Sequence, residues 1–240
     1  MLAKGLDASY DPPNFRAAYR QGYRFIVRYL CPTPSPKVID PDEVKRIHAA
    51  KLGLVLVWEK DKSESLRGRV GGLAAGREAL DLARDWIKYP KGSVIFFAVG
   101  DFDAQPAQFP KIMAYLDGVR EALDGYYKIG AYGGAGLLRH LKKQRKAAYF
   151  WQACAPTGWY QNGSRMAEAH FHQTTIDVRR AGGTVDIDEQ NLPAPIWYPA
   201  AAGPVKPAAP PTTTPKDTSP SVAVPETARG PANAGASKEG

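Results

Sequence analysis

Short apolar segments recur along the first 199 residues of this 240-residue chain and are separated by longer amphipathic stretches. Several of them, such as SVIFFAVG and LGLVLVW, are apolar almost throughout, as in strands that are covered on both faces. Their β-branched and aromatic content predicts eight strands. The predicted strands are Ala3–Asp7, Phe25–Leu30, Leu54–Glu59, Val94–Val99, Lys128–Tyr132, Ala148–Ala153, His170–Thr174 and Thr184–Asp188.

Five of the intervening stretches carry apolar residues at helical spacing, and the last two connections show only weak helical signal. The predicted helices are Asn14–Gln21, Pro41–Lys51, Gly72–Lys88, Pro110–Leu123 and Gly136–Lys146. Because parallel neighbouring strands need crossovers of about a dozen residues, this alternation predicts a parallel sheet. Eight such units favour a sheet that closes into a barrel over an open sheet. Residues 1–199 are therefore predicted to form a compact (β/α)8 TIM-like barrel of the α/β class with short late helices.

The composition changes sharply after Pro199. Residues 200–240 contain eight prolines but no aromatic residue, Leu or Ile. Such a segment cannot bury enough apolar surface to offset the entropy lost on ordering. We expect a disordered C-terminal tail over residues 200–240.

The formal net charge is +8 and the pI is about 9.4, which favours a polyanionic partner such as nucleic acid, anionic lipid or an acidic cell-wall polymer. No apolar run is long enough to span a bilayer, and the start MLAKGLDASY lacks the features of a secretory signal. Two cysteines, Cys31 and Cys154, make neither a disulfide framework nor a zinc site. We expect no metal and no cofactor.

Polar residues follow or end most of the predicted strands, where barrels of this kind place their active sites. They are Asp7, Arg28, Glu59, Asp101, Asp103, Tyr132, Trp151, Gln152, Gln173, Asp186 and Asp188. Glycosidic cleavage needs one protonated carboxyl and one ionised carboxyl, and crowded carboxylates raise one another's pKa. Flat rings suit the apolar faces of sugars. The set therefore favours sugar chemistry.

Seven segments in this order resemble one family: GLDAS, the Arg-Tyr-Leu of the second strand, LVLVWE, SVIFFAVGDFD, KIGAYGG, YFWQ and VDIDEQN. They are similar to the glycoside-hydrolase-like barrel domain of actinobacteria and their phages, a relative of the family 25 lysozymes. The resemblance runs from about residue 3 to residue 192. It implies cleavage of the β-1,4 bond after N-acetylmuramic acid in peptidoglycan. The implied acids match Asp7, Asp101 with Asp103, and Asp186 or Asp188.

One departure from the lysozymes concerns the fourth strand, where their Asp-x-Glu is Asp101-Phe102-Asp103 here and Gly100 is an extra residue. The role of proton donor would then pass to Asp103 or to Glu59. Glu59 follows an apolar strand, where burial would favour its protonated form. Otherwise the site does not cleave.

The first hypothesis is a peptidoglycan-cleaving glycosidase, either a phage endolysin or a virion-associated lysin. Its predicted catalytic residues are Asp7, Glu59, Asp101, Asp103 and Asp186. Its predicted substrate-binding residues are Arg28, Tyr132, Trp151, Gln152, Gln173 and Asp188. Such a protein would be cytoplasmic at synthesis and would act at the cell wall, without a nucleic-acid partner; the oligomeric state stays open. The alternatives are a non-catalytic glycan-binding barrel and a wall amidase or deacetylase, which would need a metal or a Cys/His pair.

Overall fold

The computed structural model describes residues 1–154, 160–161 and 163–200. Its strands are β1 (Ala3–Asp11), β2 (Phe25–Leu30), β3 (Gly53–Trp58), β4 (Val94–Ala98), β5 (Lys128–Gly133), β6 (Tyr149–Gln152), β7 (Phe171–Arg180) and β8 (Gly183–Gln190). Its α-helices are α1 (Phe15–Arg20), α2 (Pro41–Ala49), α3 (Gly68–Asp81), α4 (Phe109–Leu123) and α5 (Ala135–Lys143). A π-helical turn over Leu82–Trp86 extends α3.

The eight strands form a closed barrel in sequence order, which confirms the predicted α/β barrel. Strands β1 to β7 run parallel to one another. Two of the helices begin at a side-chain cap: Asn14 and Asp40 cap α1 and α2 by accepting hydrogen bonds from backbone N–H groups. In the described part of the β6–β7 connection there is no helix, as the weak pattern there indicates.

The expectation of an all-parallel sheet is wrong for β8, which runs antiparallel to both β7 and β1. The physical reason is a tight turn. Only Ala181 and Gly182 separate β7 from β8, and their φ angles of 49° and 88° are both left-handed. A two-residue turn of that kind builds a hairpin, whereas a parallel pairing would need a long crossover. The start of β8, and not its end, therefore lies at the mouth of the barrel.

The barrel interior is filled by aromatic rings at its lower end. Phe171 lies with its ring centroid 5.2 Å from that of Phe25 and 5.6 Å from that of Phe96. This apolar plug leaves only the upper interior for polar side chains. The acids that line the opening lie above this plug, at the carboxyl ends of the parallel strands.

Residues 201–240 of the expected tail lie outside the described residues, so the tail remains a prediction. None of the described helices is both long enough and apolar enough to cross a membrane.

Candidate active site

A cavity of about 340 Å³ opens at the carboxyl ends of the parallel strands. Its charged lining residues are Asp7, Lys37, Glu59, Lys62, Asp101 and Asp186. Its other hydrogen-bonding side chains are Ser9, Tyr10, Tyr29, Tyr132, Trp151 and Gln173. A second cavity of about 270 Å³ shares Asp7, Tyr10 and Asp186 with the first and extends along the β7–β8 hairpin to Asp177. Four of the five predicted catalytic acids thus meet in one place.

Asp7 is the most buried of the carboxylates that line this cavity, with 4% of its surface exposed. The Tyr29 hydroxyl donates a hydrogen bond to its Oδ2 at 3.0 Å. Burial raises the pKa of Asp7 well above its ordinary value, and the charge of Asp186 raises it further, against the opposing effect of the Tyr29 hydrogen bond. Asp7 therefore keeps a proton to a higher pH than an exposed aspartate.

Asp186 lies directly across from Asp7, because the two residues are paired between the antiparallel strands β1 and β8. Its carboxylate accepts hydrogen bonds from the side-chain amide of Gln173 and from the backbone N–H of Asp177, both at 2.8 Å. Burial raises the pKa of Asp186, and the Asp177 N–H opposes that shift. Asp177 has a left-handed φ of 54° at an irregularity in the β7–β8 pairing. This strained position directs its N–H at Asp186.

Glu59 and Asp101 each form an ion pair with a lysine. The Lys37 ammonium lies 2.8 Å from Glu59 Oε1 and 4.2 Å from the centre of the Tyr29 ring. Lys62 lies 3.3 Å from Asp101 Oδ2. The structure thus places Glu59 in an ion pair and not in the apolar surroundings that the sequence suggested, because Lys37 arrives from the loop after β2.

Aromatic and amide groups on β5, β6 and β7 form another part of the cavity wall. Tyr132 and Trp151 contact each other with ring centroids 4.5 Å apart. The Tyr132 hydroxyl donates to Gln173 Oε1 at 3.1 Å, and the Cys154 N–H donates to the same oxygen at 3.0 Å. Burial raises the pKa of Tyr132 well above its ordinary value, and the charge of Asp101 adds to the effect. The wall therefore presents fixed rings and a protonated phenol.

Four predicted site residues do not line the cavity: Arg28, Asp103, Gln152 and Asp188. Arg28 points away from the barrel interior and donates to Glu43 and to the carbonyls of Ala8, Ser9 and Pro36. The backbone N–H of Tyr160 donates to the Asp103 carboxylate.

The side chain of Gln152 accepts from the backbone N–H of Met166 at 2.8 Å, and Asp188 lies below the cavity with no exposed surface. These contacts hold the barrel and its loops together and leave no direct route to a ligand in the cavity.

The sequence interpretation missed Lys37 and Lys62, and from the Arg-Tyr-Leu segment of the second strand it chose Arg28 as a site residue and not Tyr29. Tyr29 could have been predicted as a site residue, because side chains of a strand alternate between faces, so Arg28 and Tyr29 cannot both point inward. Lys37 and Lys62 lie in loops, and nothing in their local sequence distinguishes them from other surface lysines. In the described part of the chain, no group of three or more His, Cys, Asp or Glu side chains could hold a metal ion.

Known proteins that are similar to this chain indicate its fold and its family. A comparison with curated proteins gives no match. The solved structure of the Tat-secreted protein Rv2525c from Mycobacterium tuberculosis in complex with L-tartrate is similar, with a TM-score of 0.70 and 20% sequence identity. That match covers 82% of this chain and 100% of that one.

Two further solved structures share the fold. The bacterial lysozyme from Streptomyces coelicolor has a TM-score of 0.52 at 14% identity, over 80% of this chain and 93% of that one. The catalytic domain of endolysin ply40 from bacteriophage P40 of Listeria monocytogenes has a TM-score of 0.52 at 14% identity, over 78% of this chain and 92% of that one. At these identities the likeness concerns the fold alone.

The sequence itself carries the family assignment. The model of the family described as "Rv2525c-like, glycoside hydrolase-like domain" matches residues 16–192, which is well over half of the chain. The match agrees with the resemblance that the strand-end segments indicate. The chain belongs to the Rv2525c-like, glycoside hydrolase-like domain family.

Proposed function

We propose that this barrel is a lysozyme-type glycosidase that cleaves the glycan of bacterial peptidoglycan in the cavity at its mouth. One observation carries the proposal: four carboxylates line a single cavity in two different environments. Burial raises the pKa of Asp7 and of Asp186, whereas Glu59 and Asp101 are ion-paired with lysines. Carboxylates whose environments differ in this way can divide the acid and the charged roles of glycoside hydrolysis between them.

In this proposal Asp7 is the general acid. Its proton passes to the glycosidic oxygen as the bond to the anomeric carbon breaks, and Asp7 becomes a carboxylate that still accepts the Tyr29 hydrogen bond. Asp101 supplies negative charge beside the developing oxocarbenium ion, and a water molecule then adds to the anomeric carbon and gives its proton to the Asp7 carboxylate. The rings of Tyr132 and Trp151 contact the sugar.

Further support comes from charge and from the relatives. The net charge of +8 suits an anionic cell wall. A lysozyme and an endolysin catalytic domain share the fold, and the Rv2525c structure holds L-tartrate, a small molecule with two hydroxyls and two carboxylates. We include in the proposal that the protein acts at the bacterial wall and reaches it as a phage endolysin or a virion-borne lysin.

The test is the release of reducing ends from purified peptidoglycan by the full chain and three variants. We expect Asp7→Asn and Asp101→Asn to lower the rate by at least about 100-fold, the scale expected for loss of an acid–base group, with the fold intact by circular dichroism. Asp103→Asn is the matched control: it keeps an oxygen that can accept the Tyr160 hydrogen bond and lies outside the cavity lining. It should keep most of the activity. Full activity in Asp101→Asn would refute the proposal.

A non-catalytic glycan-binding barrel is the second candidate, and the position of Asp103 favours it. This residue stands where the lysozymes have their Glu, yet its carboxylate is engaged by the Tyr160 backbone and does not reach the cavity. Sedimentation with purified walls separates the candidates. Retention of the wild-type protein without any release of soluble fragments would establish the binder and exclude the glycosidase.

A further inference from the structure

Two buried carboxyl oxygens below the active-site cavity have no hydrogen-bond donor. Among the described residues, Asp7 Oδ1 and Asp188 Oδ2 are two of the three buried side-chain polar atoms without a partner. Asp188 has no exposed surface at all. An unpaired carboxyl oxygen in such a place is costly, so the two atoms call for a common explanation.

The strand pairing brings the two carboxyl groups to the same face. On β1, Gly5 is paired with Asp188 and Asp7 is paired with Asp186, and residues two apart on a strand point the same way. Gly5 has no side chain, and a Cβ there would lie 2.1 Å from the Phe25 ring. The Phe25 ring fills the space over Gly5, so the side chain of β1 that neighbours Asp188 on this face is the diagonal one, Asp7.

The remaining oxygen of each carboxyl is already occupied. The Trp151 indole N–H donates to Asp188 Oδ1 at 2.7 Å, and the Tyr29 hydroxyl donates to Asp7 Oδ2 at 3.0 Å. Neither donor can serve the second oxygen as well. Asp7 Oδ1 and Asp188 Oδ2 are therefore left without a donor on neighbouring side chains of one face, and a proton held by one carboxyl would supply the missing donor.

We propose that Asp188 remains protonated and donates a hydrogen bond from Oδ2 to Oδ1 of Asp7, which makes it a positioning residue for Asp7. For its effect on the reaction the inference rests on the proposed glycosidase activity. When Asp7 gives its proton to the leaving oxygen, the new carboxylate accepts hydrogen bonds from Tyr29 and Asp188, and both donors keep their own protons. The Asp188 bond thus stabilises the conjugate base of the acid.

The surrounding charges agree with this distribution of protons. The groups that act on the pair are Arg28, Tyr29, Glu59, Tyr132, Trp151, Cys154 and Asp186. Burial raises the pKa of Asp188 well above its ordinary value, and the negative charge of Asp7 raises it further. Asp7 has a hydrogen bond from Tyr29 and the positive charge of Arg28 on its side. Asp7 therefore ionises before Asp188.

The first experiment needs no enzymatic activity. Infrared spectra of the full-length wild type and of Asp188→Asn are recorded at neutral pH and subtracted. We expect the variant to lose a protonated carboxyl C=O band. The control is Asp42→Asn, whose aspartate is exposed, has a lowered pKa from its hydrogen bond to Lys45, and should show loss of a carboxylate band only. A carboxylate loss in Asp188→Asn would overturn the inference.

If Asp188→Asn does not fold, a measurement on the wild-type protein alone tests whether Asp188 is protonated. Carbon-13 NMR of aspartate-labelled protein should show that the carboxyl assigned to Asp188 remains protonated at neutral pH. An Asp188 carboxyl that is ionised at that pH would overturn the inference.

The second experiment tests the effect of Asp188 on the reaction by the direction in which the basic limb of the pH–rate profile moves. In Asp188→Leu the conjugate base of Asp7 loses a donor, so the basic limb of the pH–rate profile should move up by about one pH unit. Asp188→Asn keeps an N–H donor and should leave the limb in place. If Asp188 were ionised, both variants would instead move the limb down. Inactivity of the wild type would refute the glycosidase while leaving the spectroscopic result to stand by itself.

Discussion

Replacing Arg28 by methionine separates the role that the sequence suggested from the role that the structure shows. The sequence placed Arg28 among the substrate-binding residues, but its guanidinium lies in the protein with 1% of the side chain exposed. It donates to both carboxylate oxygens of Glu43, at 2.6 and 3.2 Å. It also donates to three carbonyls, those of Ala8, Ser9 and Pro36. Methionine fills much of the same volume but donates nothing.

The expected cost follows from what is left behind. Glu43 would remain as a buried carboxylate without its partner, and removing one member of such a pair costs about 3–5 kcal/mol. For a domain of this size, a loss of about 1 kcal/mol lowers Tm by about 2–4 °C, so Arg28→Met should melt about 6–20 °C below the wild type. The double variant Arg28→Met/Glu43→Met should recover much of the loss, because it leaves no unpaired charge.

The assay is urea denaturation followed by tryptophan fluorescence, together with binding to purified peptidoglycan. We expect a lower free energy of unfolding and, under conditions where the variant is folded, binding close to that of the wild type. The opposite pattern would refute the structural role. In that pattern Arg28→Met loses glycan binding while its free energy of unfolding changes by less than about 1 kcal/mol.

Two further expectations concern helix packing and pH. Gly72→Ala should lower the free energy of unfolding by about 1–3 kcal/mol in the same denaturation assay, because the added Cβ would lie 1.8 Å from the Tyr115 carbonyl oxygen. The control is Val70→Ala: Val70 is exposed on the same helix, and its replacement should change the free energy of unfolding little. A stability equal to the wild type in Gly72→Ala would show that α3 and α4 are not in close contact. The rate of peptidoglycan hydrolysis should decline as the pH rises through the raised pKa of Asp7, because the general acid must hold its proton to donate it. A rate that rises with pH across that range would exclude Asp7 as the proton donor.

The contribution of Asp188 to stability should depend on pH with a definite sign. Its pKa is raised in the folded state, so above about pH 4 this residue binds more protons in the folded chain than in the unfolded chain, and its contribution to the free energy of unfolding falls as the pH rises. Asp188→Asn should reduce this slope in thermal melts between about pH 4 and pH 8. An unchanged slope would mean that Asp188 is ionised in the folded state.

The candidate site shows where local pattern is informative and where it is not. Asp7 and Asp101 could be found from the sequence because each ends or follows a β-rich segment, and the carboxyl ends of parallel strands in a barrel meet at one mouth. Arg28 could have been rejected by the two-residue alternation of a strand, which gives the inward position to Tyr29. Lys37 could not be found, because a loop has no period and its path depends on what it packs against.

The antiparallel direction of β8 could have been predicted from the sequence of the turn that precedes it. The segment Arg180-Ala181-Gly182-Gly183 holds two consecutive glycines, the first of which is a residue of the two-residue turn, and a turn that short excludes a parallel neighbour. The error left the location of Asp186 unchanged, since reversing β8 keeps this residue at the mouth. It changed Asp188, which lies one step deeper and becomes a buried group.

The sequence by itself determined the architecture of this protein: eight apolar segments of strand length, long amphipathic connections, and acids at the strand ends are sufficient for a closed α/β barrel with one mouth. These are properties of period and composition, which act locally. The tertiary structure decided which acids face the cavity, which are paired with lysines and which are buried without a donor. Those outcomes depend on side chains from distant segments, such as Lys37 beside Glu59 and Tyr160 beside Asp103, and on the removal of water around them. No local pattern carries that information.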